Sequence, residues 1–469
     1  MLGPHGFSAD NEQPYDQNSL VRLPRELLLI VCQDLADRGF CFHSNFQYVK
    51  SLQAMARSCK LLMRRVHDLP IKVTVKLPVD RFNKLQELSL GKYLRFISKT
   101  NWRINVIECE GLPNEVIKYS SHYLKKYKNV FSDAINIRLK NISNCALLVR
   151  VLGHLVNSKT QIEYDIVNLG NLTFQKWSHL ITSIQAGEKG NECVGNFAPG
   201  KYYLPAVKRL SIWSSDMNPC DYSSVQFGPM PELTRMELSD LYTYKHLEFQ
   251  FASYARELNM SSELLWPKLN YLRIEYEYEE ENEFSNLFWF LSKNAPSLSF
   301  LDLRAFPSNF RNLQTSIKLN LPGTVRTLRC CIVLADKINF EGTNLKELSV
   351  YDDCDIEERP FFIPPNLKSK RFDILELKLN FRYLAYDGVW NRETLREEFV
   401  DVVRSMTEVK ILHVEIINEF IGNLETRDFN TGPDVLIINE KRILDRKVPE
   451  AIWKRAQVLM PKLDCQAAI

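Results

Sequence analysis

No stretch of the 469 residues approaches the roughly 18 consecutive apolar positions of a membrane span, so no membrane association is expected. Residues 1–19 carry neither a charged n-region nor an apolar h-region, and a disordered lead is expected there rather than a secretory signal. The 11 cysteines include no C-x-x-C pair and the 8 histidines are dispersed, so no metal is expected. H-E-x-x-H and G-x-S-x-G are missing, and APGKYYL (198–204) lacks the glycine spacing and the Ser/Thr after lysine of a phosphate loop. No cofactor, catalytic residue or enzymatic activity is therefore expected. Charge of one sign is lacking too: 60 Lys+Arg against 57 Asp+Glu leave +3, a balance that argues neither for nor against nucleic acid, and no nucleic-acid partner is among the expectations. A composition that is 45% hydrophobic and 25% charged excludes a largely disordered chain. The scattered cysteines fit a reducing compartment, cytoplasm or nucleus, where the Asn-x-Ser/Thr triplets at Asn141, Asn171 and Asn259 are chance matches.

What is present begins with LPRELLLIVCQDL (23–35). On a helical wheel Leu23, Leu27, Leu28, Ile30, Val31, Cys32 and Leu35 cover an arc of about 200°, twice the stripe one neighbour needs. Pro24 sits in the first turn, where its fixed φ and missing N–H cost nothing. Leu29 falls outside the arc and Asp34 inside it. In SLQAMARSCKLLMRRVHDLP (51–70), Leu52, Met55 and Cys59 share helical spacing, as do Ser58, Leu62 and Val66. Two short helices over about 47–69 are expected, stopped by Pro70. Three helices in about 50 residues lie near the lower limit for burying a core and gain from an external cover.

Leu23-Pro24-x-Glu26-Leu27-Leu28 with Ile30 and Leu35, then Leu52-x-x-Met55-Ala56-x-Ser58-Cys59-Lys60 and Val66, resembles the F-box. The resemblance covers residues 20–70 and implies a three-helix unit that docks the Skp adaptor and, through it, the cullin of an SCF-type ubiquitin ligase. It departs from the family at Leu61 and Leu62, where a Trp is common, and in the long connection DRGFCFHSNF (37–46). On that resemblance the adaptor-facing residues, or their support, are Leu23, Pro24, Leu27, Leu28, Ile30, Val31, Leu35, Leu52, Met55, Cys59 and Leu62. The alternative is a helical cap on a larger domain, its wide arc buried within the chain.

Further on, four segments share P-x-[LV]-x-x-[LM]-x-[IL]: PAVKRLSI from Pro205, PELTRMEL from Pro231, PKLNYLRI from Pro267 and PSLSFLDL from Pro296. Four more keep the apolar triplet alone: Val325/Leu328/Cys330, Leu345/Leu348/Val350, Ile374/Leu377/Leu379 and Val409/Leu412/Val414. From Val207 the starts lie 26, 36, 29, 27, 20, 29 and 35 residues apart, a solenoid's recurrence. Each L-x-L reads as a strand with apolar residues inward, and proline ends the preceding helix. Helices are expected over 245–260, 283–295 and 392–406. Earlier strands at 71–77, 102–111, 133–141 and 160–169, with helices at DRFNKLQELSLGKYLRFIS, EVIKYSSHYLKKY and LTFQKWSHLITSI between and after them, start the array directly behind residue 70. DVLIINEKRIL and VPEAIWKRAQVLM would add a last strand and a capping helix, the cap covering about 420–465.

The expectation is therefore an α/β chain: an N-terminal three-helix unit, then an irregular α/β solenoid with a parallel sheet over 71–465. It resembles a leucine-rich-repeat array without the asparagine that usually follows L-x-L. Residues between the inward positions would line the concave face, with Trp213, Arg273, Arg304, Arg329, Tyr351 and Lys378 as client contacts. The acidic run EYEYEEENEF (275–284) reads first as a solvated edge, and the loop 354–369 carries the apolar Phe361, Phe362 and Ile363. The resemblance implies a substrate-recognition subunit. A Skp-bound structural protein without ligase role and a plain repeat scaffold are the alternatives.

Overall fold

The computed structural model describes residues 22–37, 60–77, 84–110, 122–140, 152–165, 177–186, 200–212, 225–238, 247–257, 264–278, 282–307, 318–351, 367, 370–379, 392–416, 424–439 and 441–460. The chain divides into two compact units, Met1–Glu163 and Tyr164–Ile469.

The first unit holds α1 (Arg25–Asp37), α2 (Lys60–Asp68), β1 (Lys72–Leu77), α3 (Lys84–Ile97), β2 (Arg103–Glu110), β3 (Phe131–Lys140) and β4 (Gln161–Asp165), the last running across the division. β1, β2 and β3 pair in parallel at the positions that alternation expects. Trp102 is the core's anchor: its indole N–H donates to the Val66 carbonyl at 2.9 Å, and its ring meets Phe96 and His67 edge-on. A buried indole so satisfied contributes its large apolar area without an orphaned donor. Burial pushes the His67 pKa down, against the pull of Asp68.

The second unit contains β5 (Ile181–Ala186), β6 (Gly200–Tyr202), β7 (Arg209–Ile212), β8 (Val225–Phe227), β9 (Arg235–Leu238), α4 (Ser253–Glu257), β10 (Tyr271–Tyr278), α5 (Asn282–Asn294), β11 (Phe300–Pro307), β12 (Leu319–Asn320) and β13 (Thr327–Cys331). It continues with α6 (Ile332–Lys337), β14 (Ile338–Asn339), β15 (Glu347–Tyr351), β16 (Phe372–Leu379), α7 (Arg392–Ser405), β17 (Val409–Ile416), β18 (Val435–Ile438), β19 (Lys441–Asp445) and α8 (Glu450–Leu459). Its sheet runs β5-β7-β9-β10-β11-β13-β15-β16-β17-β18-β19, parallel until β19 turns back antiparallel. β6 with β8 and β12 with β14 make two small parallel pairs that the sequence pattern did not announce.

The repeated proline has a sharper role than stopping a helix. Leu204–Val207, Met230–Leu233, Trp266–Leu269 and Ala295–Leu298 are turns closed by a fourth-residue N–H on the first carbonyl, at 3.1–3.3 Å, with proline second. Proline presets φ at that position. Pro322–Val325 and Met406–Val409 close the same turn at 3.0 and 3.3 Å with Gly323 and Thr407 in the second place. Immediately after, the carbonyls of Lys208, Thr234, Asn270, Ser299, Arg326 and Lys346 each accept two successive N–H groups of the next strand, at 2.8–3.2 Å. This backbone ladder ties the strand entrances together without an asparagine side chain.

Register corrects one repeat. Glu347 pairs with Ile374 and Val409 with Phe372, so the β16 triplet equivalent to Leu345/Leu348/Val350 is Phe372/Leu375/Leu377, not Ile374/Leu377/Leu379. Strand alternation has period two, so a slip of two residues leaves the pattern unchanged. LTFQKWSHLITSI is corrected too: ITSI opens β5, behind a tight 3-10 turn at Ser178–Leu180, because Ile181, Thr182 and Ile184 favour a strand. The helices at 283–295 and 392–406 form as α5 and α7, whereas 245–260 contains a wider π-type turn, Glu248–Ala252, ahead of α4.

Aromatic side chains thread the crossovers. Tyr202, Phe227, Phe251, Trp266 and Phe290 meet successively at centroid distances of 5.9, 5.2, 5.2 and 5.7 Å, and all five are buried. Such pairs add about 0.5–1.5 kcal/mol each beyond area burial.

Candidate functional site

Two surfaces carry the residues singled out from sequence. In the first unit, Leu28 and Cys32 of α1 are fully buried with Leu62 and Val66 of α2, and Leu29 is half-buried beside them. Gln33 fastens α1 to β1 as a strand neighbour would, Nε2 donating to the Lys72 carbonyl at 3.0 Å and Oε1 accepting the Lys72 N–H at 3.1 Å. Arg65 donates to the Leu23 carbonyl at 2.7 Å, joining α2 to the entrance of α1. Burial pushes the Cys32 thiol up to about 11, so it serves as packing, not as a nucleophile.

The opposite side of α1 is open. Leu27 is 49% exposed and Ile30 64%, with Pro24 and Asp34 exposed beside them and Leu61 and Met63 exposed on α2. This bears on the two oddities of the wheel: Asp34 shares the outer side with Leu27 and Ile30, and Leu29 is half-buried at the border of the inner face. Val31 is half-buried between the faces and Leu23 is half-buried at the entrance. The side chain of Leu35, and Leu52, Met55 and Cys59 altogether, lie outside the described residues.

In the second unit, parallel register lines residues up into rows across the sheet. One row runs Arg209, Arg235, Tyr271, Phe300, Thr327, Glu347, Ile374, Ile411 and Val435. The next runs Ser211, Glu237, Arg273, Asp302, Arg329, Ser349, Glu376, His413 and Ile437, alternating in charge through its middle. Arg273 pairs with Glu275, and Arg304 reaches Asp302 at 3.6 Å and Glu275 at 3.8 Å. Burial pushes the Asp302 pKa up, only partly offset by Arg304, Arg273 and Arg329. Tyr351 donates its hydroxyl to the Leu303 carbonyl, and Lys378 lies 3.5 Å from both Glu376 and Glu415. Trp213 and the loop 354–366 lie outside the described residues.

The expected C-terminal cap lies elsewhere than at the end of the array. Helix α8 packs on the face of Ile374, Ile411, Val435 and Ile437, with Ala456 and Met460 buried there and Trp453 partly so. Arg455 grips the Glu347 carboxylate from Nε at 2.9 and 3.1 Å and from Nη2 at 3.0 Å, and Arg329 donates to the Leu459 carbonyl at 2.8 Å. An apolar row on a strand face needs cover, and the chain supplies it. Arg329 is thereby engaged by α8. The cleft beside α8, between Arg329, Ser349, Glu376 and Met460, has a volume of about 10 Å³, room for little more than a water and far below the roughly 300 Å³ of a small-molecule site.

Beneath α8, Ser349 donates its hydroxyl to Glu376, and His413 Nδ1 lies 3.6 Å from the other carboxylate oxygen. Burial opposes ionisation of Glu376, yet His413, Ser349 and the Lys378 charge outweigh it and hold the carboxyl at about 2. The serine hydroxyl donates to the carboxylate rather than to the imidazole, and a carboxyl held at about 2 is a weak base for activating it. Among the described residues no group of three or more His, Cys, Asp and Glu is placed to hold a metal, and no helix is long and apolar enough to cross a membrane.

No family model matches this chain, and no curated protein matches it significantly.

Proposed function

We propose that the chain is the substrate-recognition subunit of an SCF-type ubiquitin ligase, docking the Skp adaptor through residues 20–70 and a client protein through the repeat array. The observation that carries this reading is α1 itself. Leu28 and Cys32 are spent on the chain's own core, while Leu27 and Ile30 share an exposed side of α1, and Leu61 and Met63 are exposed on α2. Large apolar side chains such as Leu27 and Ile30 lose free energy by exposure unless a partner covers them. The chain contributes no covalent chemistry; it raises the effective concentration of a client lysine near the charged enzyme. Skp-bound structural assembly without ubiquitination shares the docking step and differs in cullin recovery and client turnover.

The test is co-purification with the Skp adaptor. Leu27→Asp and Ile30→Asp are expected to weaken adaptor binding by at least about 30-fold, the scale of an interface hot spot. A wild-type chain that never binds the adaptor under conditions where F-box proteins do would refute the reading.

A further inference from the structure

We propose that the sheet face of β7, β9, β10 and β11 docks an extended acidic segment of a protein, its carboxylates on Arg209 and Arg235 and an apolar side chain on the Tyr271–Phe300 stack. Naming that protein the client rests on the ligase reading; the surface itself does not.

Register puts Arg209, Arg235, Tyr271 and Phe300 on four successive strands. At about 4.8 Å per strand the row spans about 14 Å, the reach of roughly four extended residues. Tyr271 and Phe300 are stacked at 4.7 Å, and the Arg235 guanidinium lies 3.9 Å from the Tyr271 ring centroid. Arginine and aromatics so arranged form a flat, pre-ordered platform with little rotamer freedom left to lose.

The start of this row carries a charge conflict. Arg209 and Arg235 are direct cross-strand neighbours, and like charges so placed destabilise a sheet. Arg235 is held by Glu237 at 2.6 Å, whereas Arg209 makes no ion pair among the described residues. The acids nearby are sunk beneath the bases. Side-chain exposure is 46% for Arg235 against 13% for Glu237, and 37% for Arg304 against 13% for Glu275 and 2% for Asp302. An approaching segment therefore meets guanidinium groups first, and carboxylates suit their forked donors.

The remaining length of the face is taken. From β13 onward α8 lies over it, and Arg329, whose guanidinium is 5.5 Å from the Phe300 ring centroid, marks the limit by binding the Leu459 carbonyl.

The test uses the full chain and a fluorescein-labelled peptide of about ten residues alternating Glu and Leu, read by fluorescence anisotropy. Expected are salt-sensitive binding, at least about tenfold weaker binding of the Gln-for-Glu peptide, and a tenfold or greater loss in Arg209→Glu and Arg235→Glu. Arg446→Glu, an exposed site past β19, is expected to bind as wild type, and circular dichroism checks that the variants fold. Equal binding of the Glu and Gln peptides, no binding at all, or unchanged binding in both arginine variants would overturn the proposal. So would a phosphoserine peptide binding more than tenfold tighter than the Glu peptide, which would move the site to phosphorylated segments. Adaptor co-purification on the same variants is expected unchanged, so failure of the ligase reading and failure of this surface are read separately.

Discussion

Glu376 offers a quantitative test of how the second unit is held together. Its carboxyl is held at about 2 instead of 4.5 by the Ser349 hydroxyl, His413 and Lys378, against the cost of burial. A carboxyl whose folded pKa lies below its unfolded one stabilises the fold above the unfolded value and loses that contribution as pH falls towards the folded one. The depression corresponds to about 3 kcal/mol at pH 7, falling below half of that by pH 3. Glu376→Gln keeps the side chain's shape and removes its titration, so the variant should be less stable than wild type by about 2–3 kcal/mol at neutral pH. The two should converge between pH 4.5 and 2. Urea unfolding followed by circular dichroism at intervals from pH 7 to 3 measures the difference curve, in which other carboxylates common to both proteins cancel. Asp302, on the same row, should behave oppositely: its pKa is raised by burial, so wild type should gain stability relative to Asp302→Asn on acidification. A wild-type minus Glu376→Gln difference that stays flat from pH 6 to 3 would refute the assigned network.

Leu28→Ala, in the core of the first unit, should cost about 2–5 kcal/mol, whereas Leu27→Asp should cost about 0.5 kcal/mol while abolishing adaptor capture; thermal melts and pull-down separate the two. Thr407→Pro, at the turn position where four other repeats carry proline, should stabilise by about 0.4–1 kcal/mol in denaturant titrations. Phe251→Ala should destabilise by about 3–5 kcal/mol, because the ring is fully buried between Phe227 and Trp266. Arg455→Ala should loosen α8, seen as faster amide hydrogen exchange over Glu450–Leu459 with slower change elsewhere in the sheet.

The strands were the most legible part of the chain, since each is a short alternation and four of them follow a proline turn. Where the turn lacked proline, at β16, the alternation alone placed the triplet two residues late. A six-residue helix such as α6 and two-residue strands such as β12 and β14 carry too few positions for any periodicity. The outward positions were legible as polar, but not their depths. Asp302, Glu376 and His413 look like surface residues in sequence and are buried in the fold. The apolar stripe of α8 identified a helix without saying which surface it would meet.

The sequence by itself determined the parallel α/β repeats, because residue spacing, β-branching and proline act over a few residues. It also determined that α1 has more apolar surface than one neighbour can cover. Only the tertiary structure decided which half of that surface is spent, because Gln33 and Arg65 lock α1 to partners about 40 residues away. It alone decided that, among the described residues, α8 covers the face from β13 onward and not the Arg209–Phe300 row, because Arg455 and Arg329 act across more than 100 residues. Contacts at such separation depend on how many strands the array stacks and how they align, which no local pattern encodes.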